Sequence, residues 1–208
     1  MKKHNGWWWP SFDQKSHQAR YNKMLKELEA TLDLVKDKRI CIQAGGAVGI
    51  WPQFLSKHFR KVYTFEPNPY QYECLKMNTT ANNICSMPYA LGETGGQVQV
   101  VTNEERCNAS YVVNPEDQGY SATCIKIDDY FPHNQDIDFI CLDLEGYELF
   151  ALKGAKRILL QNNPIVQVED KHSDRFGVSQ GQVDEFMEFL GYELIHQNRY
   201  DKIFGRQK

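Results

Sequence analysis

One stretch, RICIQAGGAVGIWPQFLSKHFRKVYTFEPNP over residues 39–69, constrains the fold more than any other part of the chain. Residues 39–43 read as a buried strand, Gly45, Gly46 and Gly49 as a turn, the next run as a helix, and residues 62–65 as a second strand ending in Glu66. Parts in that order make a parallel βαβ unit, because the crossover between parallel strands needs a helix's length of chain. Ligands of open parallel sheets bind beyond the carboxyl ends of the strands. The glycines and Glu66 both fall there, which predicts a site for a nucleoside-bearing cofactor.

The glycine spacing narrows the choice. A dinucleotide fingerprint needs glycine at its first, third and sixth positions, so that the backbone can approach a pyrophosphate. Counting from Gly45, those later positions hold Ala47 and Ile50, and no Gly-Lys-Ser/Thr follows to make a phosphate loop. What remains is a turn that lets the backbone pass close to a ligand, with an acid about twenty residues on that can accept both hydroxyl hydrogens of a ribose. A ribose without a pyrophosphate points to S-adenosylmethionine.

A chain of 208 residues suits one α/β domain with a core that needs no disulfide or metal. Its formal charge of -3 and pI near 6.1 lack the footprint of a protein that lives on phosphate backbones, so nucleic acid is not the expected partner. The six cysteines form no Cys-x-x-Cys pair and no Cys/His ligand cluster, and Cys41, Cys124 and Cys141 sit in apolar, strand-like runs. They read as reduced core residues of a cytoplasmic protein. No run reaches the length of a membrane span and the start lacks the apolar block of a signal peptide, so no membrane association is expected.

Residues 1–38 are expected to form an aromatic segment and an amphipathic helix that pack on a domain spanning 39–208. Trp7, Trp8 and Trp9 allow two readings, packing on the domain's own helices or one wall of an acceptor pocket. Tyr21, Met24, Leu25, Leu28, Leu32 and Val35 recur at helical spacing over residues 16–35. Further helices are predicted over 69–83, with Tyr72, Leu75 and Met77 inward, and over 148–161 and 183–190. Strands are predicted over 84–91, 122–127, 137–142 and in the run after Pro164, with a terminal hairpin over 192–197 and 202–204. Residues 97–120 read as a small antiparallel insertion.

Four segments, CIQAGGAVG, VYTFEPNPYQYECLKMN, FICLDLEGYELFALKGA and PIVQVED, resemble in order and spacing the blocks of the FkbM-type S-adenosylmethionine-dependent methyltransferases. The resemblance implies a class I methyltransferase-like Rossmann sandwich, with a mostly parallel seven-stranded sheet whose last strand is antiparallel. It also implies O-methylation of a hydroxyl on a sugar or other small molecule. Gln43, Gly45, Gly46 and Gly49 would surround the cofactor turn and Glu66 would hold the ribose. Pro67 would also bind the cofactor, Asn68, Ala90 and Leu91 would lie by the adenine, and Asp143 near the methionine end or the acceptor. The chain departs from the family pattern at Gln43, where aspartate is usual, and at Ala47, where asparagine is frequent. The Gln43 amide can hydrogen-bond but carries no charge for an ammonium group.

An alcohol acceptor benefits from a general base, for which Asp143, Glu145, Glu169 and His172 are candidates. Asp143 directly follows a buried strand, although it would also serve as a helix cap. Glu145 and Glu148 would equally stabilise the positive end of that helix. His172 has a suitable reference pKa but sits in the polar run KHSDRF. Asp143, Glu169 and Asp170 converge at neighbouring strand ends, where a divalent cation could orient a diol. Two other readings remain open: an inactive cofactor-binding partner module, and a nucleotide-dependent oxidoreductase.

Overall fold

The computed structural model describes residues 1–18, 21–103, 105–113, 118–198 and 200–206. Its first elements are a short hairpin, β1 (Lys2–His4) and β2 (Trp7–Trp9), and helix α1 (Tyr21–Leu32). The βαβ unit follows as β3 (Ile40–Ala44), α2 (Ile50–Leu55) and β4 (Lys61–Phe65), then α3 (Pro69–Asn78) and β5 (Ile84–Met87). A second group comprises β6 (Tyr89–Leu91), β7 (Gly96–Val101), β8 (Tyr111–Val113), β9 (Tyr120–Ile125) and the single turn α4 (Ile127–Tyr130). The chain then runs through β10 (Ile137–Leu142), α5 (Glu148–Lys153), α6 (Lys156–Asn162), β11 (Ile165–Glu169), α7 (Gln182–Phe189), β12 (Glu193–Asn198) and β13 (Asp201–Gly205).

Among the described residues the main sheet has seven strands in the order β12-β13-β11-β10-β3-β4-β5. The five from β11 to β5 run parallel, whereas β13 is antiparallel to both of its neighbours, as a terminal hairpin requires. Alternation along each strand sorts the core into two layers. Ile40, Ile42, Ile140, Leu142, Val166 and Val168 face α5, α6 and α7, where Leu152, Ile158 and Met187 meet them. Cys41, Val62, Phe139 and Cys141 face Leu28 and Leu32 of α1 and Leu55 of α2. On this second face the row also carries the buried polar residues Gln43, Thr64 and Gln167.

Several predicted boundaries move, each for a tertiary reason. The single strand expected over 84–91 is divided at Pro88: β5 pairs with β4, while β6 pairs with β9 in a separate four-stranded sheet. The strand expected over 122–127 belongs to that small sheet as β9 and ends two residues sooner. Helix α3 stops at Asn78, not Asn83, because the Asn78 amide hydrogen-bonds the backbone of Trp8 and donates to the Val48 carbonyl. Asn83 donates instead to the carbonyls of Ser56 and Phe59. Met77 is 51% exposed, and Gln71, Cys74 and Leu75 form the inner face of α3.

The helix expected over 148–161 breaks at Gly154. A Cβ there would lie 2.0 Å from the Gly92 carbonyl oxygen, and the Gly154 carbonyl accepts the Asp128 N–H. The Asp128 carboxylate then caps the second segment through the N–H groups of Arg157 and Ile158. At the amino end, Trp9 is buried with Val48, Ile50, Cys74 and Cys107 behind the glycine turn, so packing is the reading of the tryptophans that the structure supports.

Candidate active site

Beyond the carboxyl ends of β3, β4 and β10 the surface opens into two adjoining clefts, which share Gly45, Glu66, Ser110 and Asp143. The first is bounded by Phe65, Pro67, Tyr89, Ala90, Leu91 and Tyr147, an apolar slot with a carboxylate at its inner end. The second is bounded by Met24, Trp51, Gln71, Glu145, Glu169 and Lys171 and is more polar.

The glycine turn between them is dictated by close approach. Gly45 has φ +80°, its N–H donates to the Phe65 carbonyl, and a Cβ would lie 1.8 Å from the Asp143 carbonyl oxygen. Only a residue without a side chain lets β3 and β10 come together at this point. Beneath the turn, the fully buried Gln43 donates through Nε2 to the carbonyls of Ala44 and Gly45, both at 3.1 Å, and accepts from Thr64 Oγ1 at 2.5 Å. Gln43, expected beside the cofactor, therefore faces the protein interior, where its amide braces the turn.

Glu66 is buried at the junction. Its Oε2 accepts the Ala47 N–H at 2.7 Å and its Oε1 the Asn68 N–H at 2.8 Å, which leaves acceptor capacity on each oxygen. Burial pushes its pKa up to about 7, and those two backbone N–H groups work in the opposite direction. Asn68, expected by the adenine, lies outside the slot. Its Oδ1 caps α3 by accepting from Tyr70 and Gln71 N–H, and its Nδ2 donates to Thr102 Oγ1 and Ser110 Oγ. Pro67, Ala90 and Leu91 do line the slot.

Asp143 stands where the two clefts meet. Burial raises its proton affinity strongly, and the charges of Glu169, Glu145 and Glu148 raise it further. Glu169 is also raised by burial and is hydrogen-bonded to Asp143. Asp143, Glu145 and Glu169 can each bring an oxygen within 4.8 Å of the others. This trio differs from the expected one, because Asp170 is drawn away to Lys202 at 2.6 Å, a lysine that also holds Asp184 at 2.5 Å. Burial and the neighbouring carboxylates favour the protonated form of Asp143.

His172 lines neither cleft. It sits behind Glu145, with Nε2 3.8 Å from the Glu145 carboxylate, and burial together with Lys171 and Arg175 lowers its pKa. Glu148 is a structural acid: fully inside, it accepts the N–H groups of Leu144 and Gly146 and fixes the turn after β10. The residues that sequence reasoning missed are Tyr89, Tyr147, Ser110 and Gln71. Of these, Tyr147 lies in the DLEGYE stretch and Gln71 in the segment after Glu66, whereas Tyr89 and Ser110 fall outside the resembling segments.

A mostly parallel sheet with a glycine turn after β3, a buried acid after β4 and a carboxylate after β10 is the layout of a Rossmann-type methyltransferase. The chain belongs to the methyltransferase FkbM domain family, whose sequence model matches residues 43–194. Among solved structures it is similar to methyltransferase FkbM from Methylobacillus flagellatus KT, at 21% identity and TM-score 0.57, over 81% of this chain and 43% of that one. It thus spans less than half the length of that relative. It is similar as well to an rRNA methylase from Streptococcus thermophilus, at 13% identity and TM-score 0.52, over 89% of this chain and 96% of the other. A Streptococcus mutans protein solved in complex with SAH shows 14% identity and TM-score 0.52, over 88% and 97% of the two chains. At these identities the likenesses speak for the fold alone. No curated protein matches the chain. Among the described residues, no helix is long and apolar enough to cross a membrane.

Proposed function

We propose that the protein is an S-adenosylmethionine-dependent O-methyltransferase acting on a hydroxyl of a sugar or another small molecule. The observation that carries this reading is the placement of Asp143 where the two clefts meet, beside the glycine turn and the buried Glu66. The donor set fits the cofactor: Glu66 retains acceptor sites for two ribose hydroxyls, and Phe65, Tyr89 and Leu91 offer apolar surface to a base.

When bound, S-adenosylmethionine supplies a methyl group activated by its sulfonium. In this reading Glu66 orients the ribose, and the Gly45–Gly46 backbone lets the ligand lie close to the sheet. The Asp143–Glu169 pair, which carries a single negative charge, would accept the proton of the acceptor hydroxyl as that oxygen is methylated. Glu169, through its hydrogen bond, holds Asp143 in place and tunes its basicity. Residues 39–208 form the catalytic unit, residues 1–38 buttress its glycine turn, and the reduced cysteines suit a cytoplasmic setting.

Transfer of labelled methyl groups to a panel of sugars and simple alcohols tests the reading. Asp143→Asn should lower turnover by about 10²–10⁴-fold and leave S-adenosylhomocysteine affinity nearly unchanged. Transfer only to amines, or full turnover by the variant, would overturn it. Gln43 favours one second reading, a cofactor-binding module without turnover, because its amide is committed to the turn and leaves no charge for the methionine ammonium. Binding of the cofactor with no transfer across the whole panel would establish that alternative.

A further inference from the structure

Neither cleft includes a residue of the turn Ser173–Phe176, yet that turn touches a wall of each. The Arg175 guanidinium lies over the ring of Tyr111, 4.6 Å from its centroid, and Tyr111 lines the slot from β8. Arg175 Nη1 also donates to the Glu145 carbonyl at 3.2 Å and stands 3.7 Å from the Glu145 carboxylate, and Glu145 lines the second cleft. Phe176 meets the ring of Tyr147, another slot residue, edge-on with 5.0 Å between centroids. One short turn thus joins the β insertion to the turn after β10.

The backbone on both sides is held in a costly shape. Glu145 has φ +54° and His172 φ +64°, a left-handed region that disfavours residues with a side chain. Such conformations persist only where their surroundings over-determine them, and they gather at ligand clamps. Gly146 lets the two turns meet, because a Cβ on it would lie 2.3 Å from the His172 carbonyl oxygen. Arg175 then holds both left-handed residues, His172 through its own N–H on that carbonyl at 3.1 Å and Glu145 through Nη1. Tyr111 has less support of its own, since β8 has three residues and is the outermost strand of the small sheet among the described residues.

We propose that Arg175 is a positioning residue that sets the walls of both clefts, holding Tyr111 at the slot and Glu145 at the second cleft, so that the cofactor meets a preformed site. The identity of that ligand rests on the methyl-transfer reading. A wall that is in place only part of the time lowers the apparent affinity by the fraction of time it is displaced. The guanidinium suits the task, because its planar fork can lie on a ring and bond a carbonyl at once, which the point charge of a lysine does less well.

Calorimetry with S-adenosylhomocysteine on the full chain tests this, and each variant's melting curve verifies its fold. Arg175→Ala should weaken binding by about five- to tenfold, the combined reach of a partly exposed ring contact and a charged hydrogen bond, and Arg175→Lys should recover only part of the loss. In a Tyr111→Leu background the same Arg175→Ala change should cost less than about twofold, because the residue it acts through is gone. A purely structural arginine would lower the melting temperature without that loss of additivity. A fluorotyrosine placed at position 111 alone gives a readout free of ligand: its fluorine resonance should move towards that of exposed tyrosine in Arg175→Ala. Wild-type affinity in Arg175→Ala, an undiminished effect without Tyr111, or an unmoved fluorine resonance would overturn the proposal and leave the cofactor reading intact. No binding of S-adenosylhomocysteine by the wild-type chain would overturn both.

Discussion

Replacing Glu148 by glutamine isolates the electrostatic cost of the turn that presents Asp143. The Glu148 carboxyl is enclosed, and burial pushes its pKa from 4.5 up to about 8 against the pull of the N–H groups it accepts, including those of Leu144 and Gly146. A carboxyl whose proton affinity rises on folding favours the folded state while protonated. Its contribution is full below about 4.5 and is lost as pH rises through about 8. The span from 4.5 to about 8, at about 1.4 kcal/mol per tenfold change, sets a ceiling near 5 kcal/mol. Local relaxation and water entry reduce this to about 2–3 kcal/mol. Glutamine keeps an oxygen for the Leu144 N–H at 2.6 Å and cannot ionise. Urea unfolding of both proteins without ligand, between about pH 5 and pH 8, should give nearly equal stabilities at the acid end. At the alkaline end the variant should be more stable by about 2–3 kcal/mol. Taking the difference removes the titrating groups not coupled to Glu148, among them Glu66, whose raised pKa has the same sign, and His172, whose lowered pKa has the opposite one. A difference that stays flat with pH would refute the reasoning, because Glu148 would then ionise as it does in the unfolded chain.

Three further outcomes are expected. Glu66→Ala should weaken S-adenosylhomocysteine binding by about 1.5–3 kcal/mol, or roughly 10–150-fold by calorimetry; unchanged affinity would place the ribose elsewhere. Gly45→Ala forces a Cβ against the Asp143 carbonyl at a left-handed backbone position and should destabilise the fold by at least about 2 kcal/mol in urea unfolding, and a wild-type midpoint would contradict that packing. Lys202→Met strips the counter-charge from Asp170 and Asp184 and should lower stability by about 3 kcal/mol, an effect that thermal melts would show to be absent if the two acids find water instead.

The cofactor half of the site was legible in the chain because its signals are local. Strand, glycine turn, helix and strand follow each other without interruption, and Glu66 and Asp143 are placed simply by being the first residues past buried runs. What escaped depends on partners distant in sequence. Gln43 reads as a weakened cofactor ligand until Thr64 is seen to hold it inward, and Asp170 reads as a metal ligand until Lys202 arrives from the terminal hairpin. The break at Gly154 answers to a carbonyl at Gly92, which no helical periodicity can report. Pro88 was visible throughout, yet its role in sending the chain from one sheet to another depends on β9, whose strand lies more than thirty residues later.

Asn68 couples two parts of the protein that would otherwise be free to vary separately. Its backbone grips the acid that faces the nucleoside slot, and its side chain grips Thr102 and Ser110 at the root of the β insertion. The insertion is thereby moored at its base to the acid of the cofactor slot, like a socket held by its collar. Redesign of acceptor choice can therefore work on the outer strands of the small sheet, provided the two hydroxyl side chains that dock on Asn68 are kept. A substitution at either hydroxyl would instead loosen the collar and disturb cofactor and acceptor together.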